Sequence, residues 1–259
     1  MSLSRLGPML QSVRALWEVL LVTLVAFSRA LGAKPAPRSV SDNSGCLSWR
    51  VAVEANNVRA FRTVPDQCLA HVESYMSEGQ YERDLEMVVE QIVWYSLGIV
   101  LGSDGLDAFV LDVDDTCISN RAYYRHKRFG GEPYDPVSFK KWALRGCCPA
   151  VPAILGLYKH LTHRGFKVFL LTGRDQELLD QATRENLNNQ GFIGYERLIL
   201  RGPEYRGQSA VAFKSAIRKR LAEEGYRIWG NIGDQWSDLL GDNHGDRTFK
   251  LPNPMYFVP

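Results

Sequence analysis

The stretch "AFVLDVDDTCISN", Ala108 to Asn120, decides how this chain reads. An apolar run of strand length, Ala108–Val113, breaks straight into three carboxylates, Asp112, Asp114 and Asp115, followed by Thr116. Carboxylates packed so closely at the end of a buried strand repel one another. A fold keeps such strain where a divalent cation relieves it and chemistry uses it. Taken alone, Asp114–Thr116 reads equally well as a helix N-cap run, so the stretch must be weighed with the rest of the chain.

Outward from that strand, the pattern alternates. Ile154, Leu157, Tyr158 and Leu161 recur at helical spacing and predict a helix ending near Gly165. "FKVFLLTGR", Phe166–Arg174, predicts a second buried strand, and Gln176–Gln190 a helix closed by Gly191. Arg197–Gly202 follows as a third strand, then Ala210–Glu224 as a helix with Phe213, Ile217 and Leu221 on one face. Tyr226–Asp234 and Arg247–Asn253 complete the series as fourth and fifth strands. Continuously apolar strands separated by single helices imply an α/β fold, a Rossmann-like doubly wound parallel sheet with helices on both faces.

Two segments stand outside this rhythm. Val72–Leu97 carries apolar residues at helical spacing and is stopped by "GSDG", Gly102–Gly105, whereas Cys46–Thr63 is mixed and short. Residues 46–107 therefore read as an N-terminal helical extension to a core at 108–259. Cys117–Val151 separates the first strand from its helix by more than a compact crossover needs. Its place, beyond the C-terminal end of a strand, is where open α/β sheets bind ligands, so 117–151 is predicted to be a small cap insertion. Tyr123, Tyr124 and Trp142 either line its pocket or form its own core, and Arg125, Lys127 and Arg128 are solvated or draw in an anionic substrate.

Polar groups recur beyond the strands: Asp112 and Asp114 after the first, Thr172-Gly173-Arg174 after the second, and Asp234 and Asp238 in "GDQWSD" after the fourth. Lys214 lies on the third helix. In a doubly wound sheet these converge at one edge. Several carboxylates, a hydroxyl and an ammonium in one crevice suit Mg²⁺, which binds through one or two carboxylates plus phosphate and keeps several waters.

At this point the residues resemble a family. "DVDDT" at Asp112–Thr116 matches the DxDxT signature of the haloacid dehalogenase-like phosphohydrolases, and Thr172, Lys214 and "GDQWSD" fall, in order, where that family's later motifs lie. "CLSWRVAVEANN", "FKKWALRG", "PEYRGQSA" and "LPNPMYFVP" narrow the resemblance to the plant acid phosphatases of the class B-like subfamily, which include the vegetative storage proteins. The resemblance spans about Cys46 to Pro259. It implies a Mg²⁺-dependent acid phosphatase that hydrolyses phosphomonoesters through a phosphoaspartyl intermediate. Asp112 is then the nucleophile, and Asp114 the acid that protonates the leaving alcohol and later the base that activates water. That switch needs an Asp114 carboxyl able to hold a proton, which the neighbouring Asp112 charge favours. Thr172 and Gly173 would bind a phosphoryl oxygen, and Lys214 would balance charge between Asp112 and the phosphate. The metal would be held by Asp112, the backbone carbonyl of Asp114, Asp234 and Asp238. Asp115 is expected to face away and cap or pair locally.

Net charge is +2 over 259 residues, and the surplus lies in the first 33, where Arg5, Arg14 and Arg29 oppose only Glu18. The remainder is neutral, so a nucleic-acid partner is not indicated. Residues 1–33 read as a secretory signal, with an apolar core "VLLVTLVAF" at Val19–Phe27 and small residues at Ala30 and Ala33. Residues 34–45 read as a Pro- and Ser-rich linker. The expectation is an extracellular, cell-wall or vacuolar protein with no stable membrane insertion after cleavage; a homodimer is left open. Cys46 and Cys68 are the natural disulfide pair in an oxidising compartment, Cys117, Cys147 and Cys148 stay unassigned, and neither a zinc spacing nor a histidine site is present.

Two rivals belong to other classes. A storage protein with a vestigial site is opposed by the intact Asp112, Asp114, Thr172, Lys214 and Asp234. A diphosphate lyase or synthase places its aspartates on helices, and the strand before Asp112 argues against it.

Overall fold

A computed structural model describes residues 43–259, which form one compact unit. The expected signal and nearly all of the expected linker lie outside the described residues.

Five strands, β1 (Asp107–Leu111), β2 (Lys167–Asp175), β3 (Arg197–Arg201), β4 (Arg227–Gly233) and β5 (Arg247–Lys250), form one sheet in the order β3-β2-β1-β4-β5. Every neighbouring pair is parallel. All five residues of β1 are buried, which is why its sequence is a continuous apolar run rather than an alternating one. The two-residue period is still visible in what each side chain meets. Phe109 and Leu111 join the larger core with Leu170 and Ile232, while Ala108 and Val110 join a smaller one with Phe169, Leu171 and Phe213.

The helices divide unequally between these faces. α1 (Asn43–Glu54), α2 (Leu69–Ser77), α3 (Gln80–Leu97), α4 (Arg121–His126), α5 (Pro136–Ala143), α6 (Pro152–His163) and α7 (Gln176–Asn189) precede β3 or flank it in sequence; α8 (Ala210–Glu223) and the single-turn α9 (Trp236–Leu239) follow. α3, α6 and α7 contribute Leu85, Ile92, Ile154, Leu157, Leu179 and Leu187 to the larger core, whereas α8 supplies Phe213, Ile217 and Leu221 to the smaller. Local chemistry sets the ends. Pro152 opens α6, the Asp175 carboxylate caps α7 by accepting from Leu178 N–H, and Ser209 Oγ caps α8 by accepting from Ala212 N–H.

The extension differs from its sequence reading in two ways. Cys46–Thr63 contains a regular helix, α1, which starts at Asn43 and so takes in the end of the expected linker. Its short sequence motif hid the periodicity, because Leu47 and Val51 sit on the exposed side. Val72–Leu97 is two helices, α2 and α3, broken at Gly79, whose φ of 88° a side chain would resist. The Cys46–Cys68 disulfide joins α1 to the turn before α2, as expected.

The cap is α4 and α5 joined through a 3₁₀ turn at Arg128–Gly130. Gly130 has φ 94°, and a Cβ there would lie 2.0 Å from Met255 O. Only glycine lets the cap backbone approach the C-terminal segment this closely. Tyr123 packs against Tyr124 and Phe139, and Tyr124 stacks on Tyr256 with ring centroids 4.6 Å apart.

Because the chain runs β1, β2, β3 in one direction and then returns to place β4 on the other side of β1, the sheet has its switch point between β1 and β4. Ligands of open α/β sheets bind beyond the strand ends at that point. Asp112 directly follows β1 and Asp234 directly follows β4.

Candidate active site

Asp112 N–H donates to Ile232 O at 2.9 Å, extending the β1–β4 pairing by one residue and fixing the carboxylate at the sheet edge. The chain then turns sharply: Asp115 adopts φ 53°, a left-handed conformation that aspartate tolerates better than most residues. Cys117 and Ile118 N–H both donate to Val113 O and close the turn.

Asp115 does not face away, contrary to expectation. It is buried, accepts from Asn120 N–H at 2.7 Å and from the Tyr256 hydroxyl at 2.8 Å, and the same hydroxyl lies 3.2 Å from Asp234 Oδ2. Burial, together with the Asp234 charge, pushes its carboxyl up to about 7. The left-handed turn swings the side chain inward, a twist that strand alternation does not foretell.

Lys214 reaches from α8 to this edge. Its Nζ donates to Asp112 Oδ1 at 2.5 Å and to Asp238 Oδ1 at 2.6 Å, with all three side chains buried. Asp238 Oδ2 accepts from Gln235 N–H at 2.9 Å. Asp234 Oδ2 accepts from Gln235 Nε2 and Asn253 Nδ2, while its Oδ1 receives only a long bond, 3.3 Å, from Thr116. Ligand oxygens of Asp112, Asp234 and Asp238 lie within 4.8 Å of one another. Asp112 Oδ2 and Asp234 Oδ1 are thus the oxygens least committed to the protein. Asp112, Asp234 and Asp238, with Asp115 beside Asp234, bring more carboxylates together than the Lys214 ammonium offsets, a surplus that a divalent cation would relieve. The donor set, all oxygen, suits a hard cation such as Mg²⁺. Burial and the neighbouring acids push Asp112 well above the usual carboxylate range and Asp234 up to about 6.

Asp114 occupies a different environment. Arg174 Nε and Nη2 grip it at 2.8–3.2 Å, Asn120 Nδ2 donates at 2.8 Å, and the Thr172 hydroxyl donates at 3.3 Å. Burial alone would raise the Asp114 carboxyl, but the Arg174 charge and hydrogen bonds outweigh it and hold it below the usual range. This reverses the expected direction: the adjacent Asp112 charge is overridden by a guanidinium that the sequence reading left without a role. Its side chain also stands outside the three-carboxylate group. Thr172 is fully buried, its oxygen accepting from Arg174 N–H, so in this state it orders Asp114 and Arg174; Gly173 is part of the cavity wall.

A cavity of about 510 Å³ opens onto these groups. Asp112, Asp114, Lys214, Asp234 and Asp238 line it, together with Tyr124, Tyr134 and Phe139 of the cap and Tyr256 and Phe257 of the C-terminal segment, Tyr124 and Tyr256 being stacked on each other. Of the aromatic residues singled out in sequence, Tyr124 lines the cavity, whereas Tyr123 and Trp142 build the cap's interior. Lys127 pairs with Glu132, and the basic run at Arg125–Arg128 does not reach the cavity wall. Residues that sequence reasoning missed are Asn120, Gln235, Asn253 and Tyr256, the last two within the "LPNPMYFVP" ending. Asn120 accepts from Trp142 Nε1 at 3.0 Å while donating to Asp114, linking the cap to the turn that follows β1.

Residues 35–259 match the profile of the HAD superfamily, subfamily IIIB (Acid phosphatase). The chain is 43% identical over 232 residues to Acid phosphatase 1 of Solanum lycopersicum, covering 90% of this chain and 91% of that one. It is 41% identical over 214 residues to a Stem 31 kDa glycoprotein of Glycine max, with 82% and 83% covered. With Vegetative storage protein 2 of Arabidopsis thaliana it shares 38% over 218 residues, with 83% and 81% covered. Among solved structures, the class C acid phosphatase from Bacillus anthracis shares the fold at a TM-score of 0.61 and 22% identity, over 74% of this chain and 86% of that one. A match that runs through the extension, the cap, the sheet and the ending places this chain in the acid phosphatases of HAD subfamily IIIB.

Proposed function

We propose that the protein hydrolyses phosphomonoesters through a phosphoaspartyl intermediate on Asp112, with Mg²⁺ as its cofactor. The observation that carries this reading is the Lys214 bridge, which ties up Asp112 Oδ1 and leaves Oδ2 uncommitted in the cavity. Asp112, Asp234 and Asp238 would hold the cation, which supplies charge to the phosphoryl oxygens when bound. Asp112 Oδ2 attacks phosphorus as the ester P–O bond breaks. Lys214 balances the charge on Asp112 and on the phosphoryl group, a stabilisation set in place before reaction. The departing alkoxide takes a proton at Asp114, and Asp114 then removes a proton from the water that cleaves the acyl phosphate. Arg174 keeps Asp114 ionised in the free protein. The donated proton therefore enters with the substrate, since a phosphomonoester below about pH 6 carries one on its own phosphate. This route favours acidic conditions.

The Cys46–Cys68 disulfide supports an oxidising compartment and hence the secretory route, extracellular or vacuolar. No helix of the described residues is long and apolar enough to cross a membrane. A second reading, a storage role, is favoured by the names of relatives such as Vegetative storage protein 2. An ordered ring around Asp112 supports catalysis beside it.

The test is turnover of a phosphomonoester with Mg²⁺ and with chelator, alongside acid-quench trapping of labelled phosphoenzyme. Metal-dependent turnover, and label that disappears in Asp112→Asn, are expected. Well-folded protein without turnover or label across pH would leave storage as the function.

A further inference from the structure

We infer that the substrate's alcohol carries a second anionic group, a carboxylate or a phosphate, seated on Arg201 and Lys140 at the far side of the cavity. The inference deepens the phosphomonoesterase reading and rests on it. Four cations line the cavity. Arg174 is committed to Asp114, and Lys214 to Asp112 and Asp238; Arg201 and Lys140 make no ion pair among the described residues.

Arg201 ends β3, with its guanidinium 5.1 Å from the centre of the Phe213 ring. Of its five N–H donors, one reaches Gln208 O, at a long 3.4 Å, and its Nε is buried with no partner at all. Burial draws the guanidinium's pKa down, and no neighbouring acid offsets it. Asp175, opposite Arg201 in the β2–β3 register, uses its Oδ1 to cap α7 instead. An unpaired, half-buried guanidinium is costly, and a ligand anion would relieve that cost with a charge-assisted, fork-like bond. Lys140, on the cap helix α5, brings a second free cation to the same cavity.

The sheet sets the spacing. β3 is two strands from β1, so Arg201 lies about 10 Å across the sheet from the β1 end that bears Asp112. A phosphoryl group on Asp112 and a distal anion on Arg201 then call for a spacer of several bonds. The cavity wall also carries Leu179 and Tyr134, which suit an apolar spacer.

The test uses the Mg²⁺-loaded protein and three non-hydrolysable ligands, hexylphosphonate, 6-phosphonohexanoate and 1,6-hexanediphosphonate, titrated calorimetrically. The two dianchored ligands should bind about tenfold or more tighter than hexylphosphonate. The diphosphonate owes only about twofold of this to its two equivalent ends. Arg201→Gln should erase most of the preference while changing hexylphosphonate affinity less than about twofold, and Lys140→Gln should erase part of it. A preference for one anion identifies which of the two sources the site reads. Equal binding of all three ligands, or a preference untouched in both variants, overturns the inference. Turnover of hexyl phosphate, measured in parallel, separates the two readings. Tight dianchored binding without turnover would keep the anion seat and sink the phosphatase reading; turnover without preference would do the reverse.

Discussion

Arg174 binds Asp114 through Nε to both carboxylate oxygens, at 3.2 and 3.0 Å, and through Nη2 to Oδ1 at 2.8 Å, with the guanidinium almost wholly buried. Removing one member of such a pair strands the other's charge. Arg174→Met should therefore destabilise the fold by about 3–5 kcal/mol in urea unfolding. Adding Asp114→Asn to it should return more than half of that loss, because no buried charge is then left alone. A double variant as unstable as the single would show that packing of the Arg174 stem, and not the pair, sets the cost.

Lys214 is the cation between Asp112 and Asp238. Lys214→Met leaves those acids facing each other, so the metal-free protein should melt well below the wild type. Saturating Mg²⁺ should recover part of the difference, since a divalent cation supplies the missing charge. Phosphomonoester turnover should fall by about 10²-fold or more even with Mg²⁺ present. A melting temperature of the variant unmoved by Mg²⁺ would argue that the acids do not hold the ion.

Gly233 ends β4 against Asp238. A Cβ at this position would lie 2.4 Å from Asp238 Oδ2 and 2.5 Å from its Cβ. Gly233→Ala must therefore shift Asp238 away from Lys214 and Gln235. Expected is a loss of about tenfold or more in kcat/KM, with a weaker response of turnover to Mg²⁺. Wild-type kinetics in this variant would mean that Asp238 can move without consequence.

What the sequence disclosed, and what it withheld, follows from range. The sheet was legible because β1 is buried throughout and β2 along most of its length, so both are written around continuous apolar runs, Ala108–Leu111 and Val168–Leu171. The site carboxylates were legible because strand ends are short, local signals. Asp115 was misread since its left-handed turn, φ 53°, is a property of the closed loop and not of its alternation along the strand. Asp114's electrostatics were misread because its partner is 60 residues away on another strand. Asn253 and Tyr256, close to the end of the chain, reach Asp234 only through the fold, and nothing in their spacing announces it.

Asp107 opens β1 with its carboxylate buried, accepting from Arg227 Nε at 2.9 Å, Trp229 Nε1 at 2.6 Å and Gly102 N–H at 2.7 Å. The Arg227 hydrogen bond, aided by Trp229 and Gly102, outweighs burial and holds this carboxyl below the usual range. A depressed pKa stabilises the fold above the unfolded value near 3.8, and that contribution is lost as pH falls through the folded value. Arg227 is 40% exposed, so solvent screening keeps its share small. Asp107→Asn should thus be less stable than wild type at pH 6, and the gap should narrow below pH 4. A gap independent of pH would assign the loss to hydrogen-bond geometry and not to charge.

The Cys46–Cys68 disulfide closes a loop with a sequence separation of 22. Chain-entropy arguments give such a link about 3 kcal/mol through its restriction of the unfolded chain. Its position extends the consequence toward the site. It anchors α1, whose last residue, Glu54, accepts from Lys250 Nζ at 2.7 Å and from Asn253 N–H at 2.9 Å. Asn253 in turn donates to Asp234 Oδ2 at 2.7 Å. Replacing both cysteines with alanine should cost about 3 kcal/mol in denaturant unfolding while changing turnover less than tenfold, because Glu54 still holds Asn253 in the folded molecule. A variant that keeps its stability but loses turnover would reverse that assignment and make the disulfide a positioning element for Asp234.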